Sequence, residues 1–546
     1  MKRKSVIKTL AFLLCVSLTL LSFSACSVSG SGDSDLTPSS SSNGSTVVAD
    51  LFSDGDYKDV SGETPNAEIV LAGDSGTISD TTRGASGQTV TVTSKGIYRV
   101  TGSAENVTVT VMDTNESGNV YLLFDNVTMT SSGAPCLLVE NADKVILQVV
   151  GENSLTSTGS EAIKAKDDLT ILGAGSLTVT SDTHAIDFND DLKITGANLT
   201  VNAGKIGVTG GDSLKIGGGN TVINAAHDGV QLENDEGTSL FYIEDGALTV
   251  NAGYDGISVG TALADFTGGI NLAGGRVTVT AGGGSDNAKS ETSQKGLKCD
   301  GGILVGSVEL SVTSADDAIN GETVTVSAGQ TTLSTSDDAV HAAGAITVTG
   351  GALTVTKAYE GLEGGEVTVS GGTVKVTSSD DGVNAAGGSD STSAETDAYV
   401  CSGNVTISGG SVYIDASGDG VDANGSVVVT GGTLIVEGPV SGANGALDSG
   451  DADGCVCEIT GGTVLAVGTK EMAKNFSAGS VPSALVYVDG KAGDTITVGD
   501  FSYTAAKAFT SVVYASDALE EGGTYTLTVG ETQVTLDFTN GLYFVK

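Results

Sequence analysis

Through most of this chain, an aliphatic residue preceded by an acidic or polar residue and a Gly or Ala returns about every 22 residues, and the pattern between these phrases alternates apolar with polar. Ile163, Ile186, Val208 and Val230 lie 23, 22 and 22 residues apart, and Leu297, Ile319, Val340, Leu362 and Val383 lie 22, 21, 22 and 21 apart. Within AITVT, alternation turns Ile346 and Val348 inward and Thr347 and Thr349 outward. Helix start signals are absent and β-branched residues are dense. The pattern predicts an all-β protein: a right-handed parallel β-helix solenoid of about thirteen coils of ~22 residues, three short strands to a coil. Handedness follows the crossover preference of parallel strands. The period is lost after Val467, so a small C-terminal β domain is expected to cover the last coil and its strand edges.

The amino terminus departs from this pattern. Lys2, Arg3, Lys4 and Lys8 precede an apolar run from Leu10 to Leu21 and the small residues before Cys26, which reads as a lipoprotein signal with Cys26 as the lipidated residue. The expected organisation is a signal peptide over 1–25, a Ser/Gly/Asp-rich linker over 26–64, the repeat domain over 65–478 and the terminal β domain over 479–546. Export and a lipid anchor at a bacterial cell surface follow, and with them a monomer tethered to the membrane only by its lipid. Of the remaining cysteines, Cys455 and Cys457 alternate along a strand and are expected to be buried free thiols rather than parts of a disulfide frame or a zinc site.

The formal charge of −42 excludes nucleic acid as a partner. Much of that charge is placed by the repeat. Asp228, Asp255, Asp317, Asp338, Glu360, Asp381 and Asp419 occupy one phrase position, and Asp316, Asp337 and Asp380 double it. Stacked one rung apart at about 4.8 Å, two unit charges repel by roughly 3 kcal/mol at an effective dielectric of 20. Calcium would neutralise them, and Asp316, Asp317, Asp337, Asp338, Asp380, Asp381, Asp419 and Asp422 are its candidate ligands. An Asp that serves only to form the turn before each strand explains one per coil, but not the doublets. Lys295 and Lys298 precede the richest acidic positions. Outward Thr178, Thr200, Thr249, Thr278 and Thr354 fall on one strand line and make a second, flat polar face, although β-propensity alone also accounts for them. The insertions at 281–294 and 387–399 read as lips of a groove or as surface loops.

Several stretches resemble the bacterial carbohydrate-binding domain-containing proteins: KGIYRVTG from Lys95, GENSLTS from Gly151, KGLKCDGGILV, the DDAIN and DDGVN phrases, DGVDANGSVVVTGGTLIVEGP and the tail KAFTSVVYASDALEEGGTYTLTVG. The resemblance implies a calcium-bearing β-helix, related in shape to pectate lyases, that binds plant cell-wall polysaccharide, either cellulose or polygalacturonate, and with such a ligand Lys295 and Lys298 are the candidate contacts for a sugar carboxylate. Gln231, Ser258 and the phrase around Val208 depart from the acidic pattern. The leading expectation is a non-catalytic, calcium-dependent binding module. The alternatives are a pectate lyase-type polysaccharide lyase, for which Lys295 or Lys298 would have to act as base, and a structural or adhesive fibre.

Overall fold

A computed structural model describes residues 51–115, 118–260, 268–386 and 401–546. These lie in one compact unit, Leu51–Lys546. Among the described residues the protein is all-β apart from a single 3-10 turn, Asp54–Tyr57, and no helix is long and apolar enough to cross a membrane. Forty-two strands belong to one sheet and four, Thr495–Val498, Phe501–Thr504, Thr524–Val529 and Thr532–Asp537, to a second.

The repeat determines the register. Ile163, Ile186, Val208, Val230, Ile257, Leu297, Ile319, Val340, Leu362, Val383 and Val421 each pair in parallel with the next, and all are at most 3% exposed. Each aliphatic side chain therefore buries against its own counterpart one repeat away, worth about 1.5–3 kcal/mol per residue. The Gly or Ala before it is a packing requirement. A Cβ on Gly256 would fall 2.2 Å from Val279 Cγ1 and 2.5 Å from the Gly296 carbonyl oxygen.

The right-handed parallel β-helix expected from the repeat is not what the structure shows. The expectation assumed a turn between the second and third strand of every coil. Instead, Val120–Ser132, Asp191–Ala203, Ser213–Ala225 and Leu240–Ala252 run through that point as single strands of 13 residues. Ala197, at φ 73°, bends Asp191–Ala203 without ending it. One long strand thus pairs with two different neighbours along its length, and the hydrogen bonding closes on itself. Val120–Ser132, Val145–Val150, Leu169–Leu172, Asp191–Ala203, Ser176–Ser181 and Glu152–Thr158 form a closed ring of six parallel strands, with many strands outside it.

Antiparallel pairs terminate the sheet at both ends. Ala67–Gly73 pairs with Ser75–Ile78, and Thr463–Gly468 pairs with Ser511–Ser516, which also pairs with Ser483–Val486. The carboxy-terminal strands therefore continue the main sheet while building a second core around Leu465, Ile496, Tyr514, Leu527 and Phe538. At the other end, the final part of the segment read as linker is structured. Asp56 is fully buried and accepts hydrogen bonds from Lys144 Nζ at 2.8 Å, Thr170 Oγ1 at 2.6 Å and the Ser53 N–H at 2.7 Å. Burial alone would raise its pKa, but these donors, Lys144 first, hold it far below the usual carboxylate range.

The cysteine expectation is corrected in part. Cys401 and Cys455 form a disulfide 54 residues apart in sequence, whereas Cys457 is buried and free, as are Cys136 and Cys299. The signal peptide, Cys26, most of the linker and the second insertion lie outside the described residues.

Because the central aliphatic row is stacked in register, Ile319→Ala is expected to destabilise the protein by about 2–5 kcal/mol, while Leu304→Ala, at a site 48% exposed, should change stability by no more than about 0.5 kcal/mol. Chemical denaturation of the two variants checks this.

Candidate functional site

Two residues before the aliphatic row, the acidic residues form a row of their own, and its first role is structural. In each case an oxygen of one repeat accepts a backbone N–H from the next. Asp228 Oδ1 accepts from Asp255 at 3.0 Å, Asp255 Oδ1 from Lys295 at 2.8 Å, Asp338 Oδ1 from Glu360 at 3.2 Å and Asp381 Oδ1 from Asp419 at 2.6 Å. The carboxylate thus staples neighbouring repeats together, which is a stronger demand for an acid here than turn formation within one repeat. The remaining oxygens gather into three clusters, each with ligand atoms within 4.8 Å of one another.

The first cluster joins Asp316, Asp317 and Asp337. It already holds two ammonium groups. Lys295 Nζ donates to Asp316 Oδ1 at 3.1 Å and to Asp317, and Lys289 Nζ lies 3.4 Å from Asp316 Oδ1 and bonds Asp337. Burial works against the charge of Lys295, but Asp317 and Asp316 hold its pKa above the ordinary lysine value. The pKa of Asp316 is correspondingly lowered, because Lys295 and its other partners outweigh burial.

The second cluster joins Asp338, His341 and Glu363, all buried. His341 Nδ1 lies 2.7 Å from Glu363 Oε2 and 3.6 Å from Asp338 Oδ2. Hydrogen bonding to Asp338 and Glu363 pushes the imidazole up to about 10, so it stands as the cation of the cluster at neutral pH. Asp338 is raised above the carboxylate range, by burial first, and Glu363 is lowered by its bond to His341.

The third cluster, Asp381, Asp419 and Asp422, differs from both. No ion pair joins any of its three carboxylates among the described residues; the nearby Lys474 pairs instead with Asp448 and Asp451. Burial, then the mutual repulsion of Asp419, Asp380 and Asp422, raises Asp381 to about 7; burial, then Asp419 and Asp448, raises Asp422 to about 6. Glu360, between the second and third clusters, is raised to about 8 by burial and by Asp338, Glu363 and Asp381. Three oxygen donors with no cation of their own are what a hard divalent ion fits. The first two clusters fit one less well, because a metal there would displace the lysines or deprotonate His341.

Of the residues expected from sequence, Asp316, Asp317 and Asp337 come together, Asp338 joins His341 and Glu363, and Asp381, Asp419 and Asp422 come together. Asp380 stands beside the third cluster, where a Cβ on Gly418 would fall 2.3 Å from both Asp380 Oδ1 and Asp381 Oδ1. Lys295 is committed to the first cluster. Lys298 is the more accessible lysine: its side chain is 37% exposed, lies 3.4 Å from Asp255 Oδ2 and lines a hollow of about 250 Å3 with Gln231, Glu233, Ser258 and Asp300. The threonine line exists as read, with Val222, Ser311 and Thr332 completing it. The roles of Lys289 and His341 were not read from sequence. Lys289 arrives from the 281–294 insertion, whose Ser285 meets Ser334, so that insertion lies over the rows beside it.

This all-β array with acidic rows is a repeat protein built to present carboxylates. The chain belongs to the family of carbohydrate-binding domain-containing proteins, whose model matches residues 86–339 and 338–537. Among solved structures, it is similar to one described as the polysaccharide lyase-like protein from C. thermocellum, in a gadolinium derivative. That match has 27% identity and a TM-score of 0.35 and covers 45% of this chain and 96% of the other, a structural likeness too low to carry an argument. No curated protein matches the chain.

Raised carboxyl groups make stability depend on pH with a defined sign. Asp381, Asp422 and Glu360 bind protons more tightly when folded, so their contribution is complete below their unfolded values near 4 and is lost as pH rises through about 6 to 8. His341, raised to about 10, acts in the same direction above its ordinary value. In excess chelator the melting temperature is therefore expected to fall between pH 5 and pH 8. Differential scanning calorimetry across that range checks it.

Proposed function

We propose that this protein is a non-catalytic module that binds acidic plant cell-wall polysaccharide, polygalacturonate in preference to cellulose, through calcium held on its third carboxylate cluster. Membership of a carbohydrate-binding family supports sugar as the ligand. The observation that carries the rest is the third cluster: Asp381, Asp419 and Asp422 converge without a pairing cation. Calcium bound there would be left with open coordination positions, and a uronate carboxylate bridging to it would relieve the repulsion between an acidic glycan and a chain of charge −42. Lys298, at the edge of the hollow near Asp255, is the lysine placed to meet a second sugar carboxylate. The scarcity of aromatic platforms argues against crystalline cellulose, since the chain has no Trp.

Binding without cleavage is supported by the state of Lys295. A lyase base must accept the proton beside the uronate carboxylate, and Lys295, bonded to Asp316 and Asp317, is held protonated. The export signal and Cys26 extend the proposal to a module tethered by lipid at the bacterial surface.

Polygalacturonate should retain the protein saturably in calcium and release it in chelator, with no rise in unsaturated-uronide absorbance. Asp381→Asn should weaken calcium binding, read by calorimetry, by about tenfold or more, and Asp317→Asn by less. Sustained product absorbance, abolished by Lys298→Ala, would make the protein a lyase instead.

A further inference from the structure

The sheet end nearest the start of the described chain carries a polar cleft of about 720 Å3, built from residues that belong to neither the acidic row nor its clusters. Its walls include Asn66, Arg83, Lys95, Asp113, Asn115 and Asn119. The first notable feature is Asp113. The residue is 1% exposed, and its Oδ1 accepts the Asn115 N–H at 3.1 Å, yet its Oδ2 has no hydrogen-bond partner. A buried carboxylate oxygen without a donor is costly, and it calls for a hydroxyl or a cation that the described residues do not supply.

The second feature is Arg83. The other described arginines are engaged in close ion pairs, Arg99 with Asp125 and Arg276 with Glu309 at 2.6 Å. Arg83 is held only loosely by a carboxylate: its Nε lies 3.5 Å from Asp80 Oδ2, while Asp80 Oδ1 is taken by the Thr82 N–H and hydroxyl. Its Nη1 donates to the Lys95 carbonyl at 3.1 Å, which fixes the guanidinium against the cleft wall. The third feature is the space beside it. Gly96 sits at φ 140°, and a Cβ there would fall 2.5 Å from Asn66 Oδ1 and 3.3 Å from Arg83 Nη1. Glycine at this point is what lets Asn66 and Arg83 pack directly against the backbone of the wall.

We propose that this cleft binds one uronic acid residue of a polysaccharide directly, without a metal ion, Arg83 receiving the sugar carboxylate while Asp113 and the asparagines receive its hydroxyls. Arg83 decides between the two ligands that Asp113 would accept. Asp80 and Lys95 line the cleft as well, so its formal charges balance, but the planar guanidinium suits a carboxylate through paired N–H donors. A saccharide hydroxyl supplies the donor that Asp113 Oδ2 lacks, and the Asn66, Asn115 and Asn119 amides supply both donors and acceptors. The inference rests on the acidic-polysaccharide reading above, but it uses a different part of the fold and no calcium. The chain would then hold a polyuronide at two places by two chemistries, gaining avidity where one glycan reaches both.

Calorimetric titration with trigalacturonate in excess chelator tests it, beside the neutral trisaccharide galactotriose. Trigalacturonate should bind saturably, galactotriose should bind at least about tenfold more weakly, and Arg83→Gln should weaken trigalacturonate by about tenfold. Asn119→Asp, which sets a carboxylate against the ligand and leaves Arg83 in place, should weaken it as well, and Asp381→Asn should not. Absence of binding in chelator overturns the proposal. So does equal affinity for the neutral sugar, or binding that survives both Arg83→Gln and Asn119→Asp. Loss of calcium-dependent retention with chelator-resistant binding intact would remove the cation reading and leave the cleft standing. The reverse pattern would remove the cleft alone.

Discussion

In-register parallel pairing is the constraint on which everything else in this protein depends. A repeat of about 22 residues places each side chain over its own kind, one rung of about 4.8 Å away. For Ile, Val and Leu that is the cheapest possible core, since a row of identical shapes needs no special complementarity. For Asp and Glu it is an electrostatic problem repeated in neighbouring repeats. The acids are kept nonetheless because one oxygen of each bonds the backbone N–H of the next repeat. The same contact that holds the repeats together therefore builds a line of like charges.

The fold resolves that line in different ways along its length. Near Asp316 and Asp317, two lysines neutralise it, one from the row and one brought by the insertion. Near Asp338 a protonated histidine does so. At Asp381, Asp419 and Asp422 no described cation pairs with the carboxylates, and burial and neighbouring acids raise the pKa of all three. Function is proposed at this third place because, of the three clusters, it is the one whose carboxylates form no ion pair among the described residues. The N-terminal cleft presents the complementary case, a cation and an unpartnered carboxylate oxygen held apart from the row.

What repeats was legible in the sequence. The aliphatic row, the acidic row, its doublets and the threonine line are all found where equal spacing puts them, because parallel register converts spacing directly into contact. What does not repeat was not legible. Three strands to a coil require a turn between the second and the third, yet at Gly196-Ala197 the backbone bends and the strand continues, which closes the six-strand ring and removes the expected three-strand coil. Cys401 and Cys455 belong to different repeats, and their pairing depends on how the chain between them is folded, not on period. Lys289 sits in an insertion whose path no periodicity specifies, and its arrival at Asp337 adds a second ammonium group to the cluster of Asp316, Asp317 and Asp337.

The most direct test of this account is an anomalous-scattering map from a crystal of the protein equilibrated with a calcium-mimicking lanthanide. The account predicts a peak coordinated by Asp381, Asp419 and Asp422, with Lys295 still seated between Asp316 and Asp317. A peak among Asp316, Asp317 and Asp337 with Lys295 and Lys289 displaced, and none at the third cluster, would contradict it.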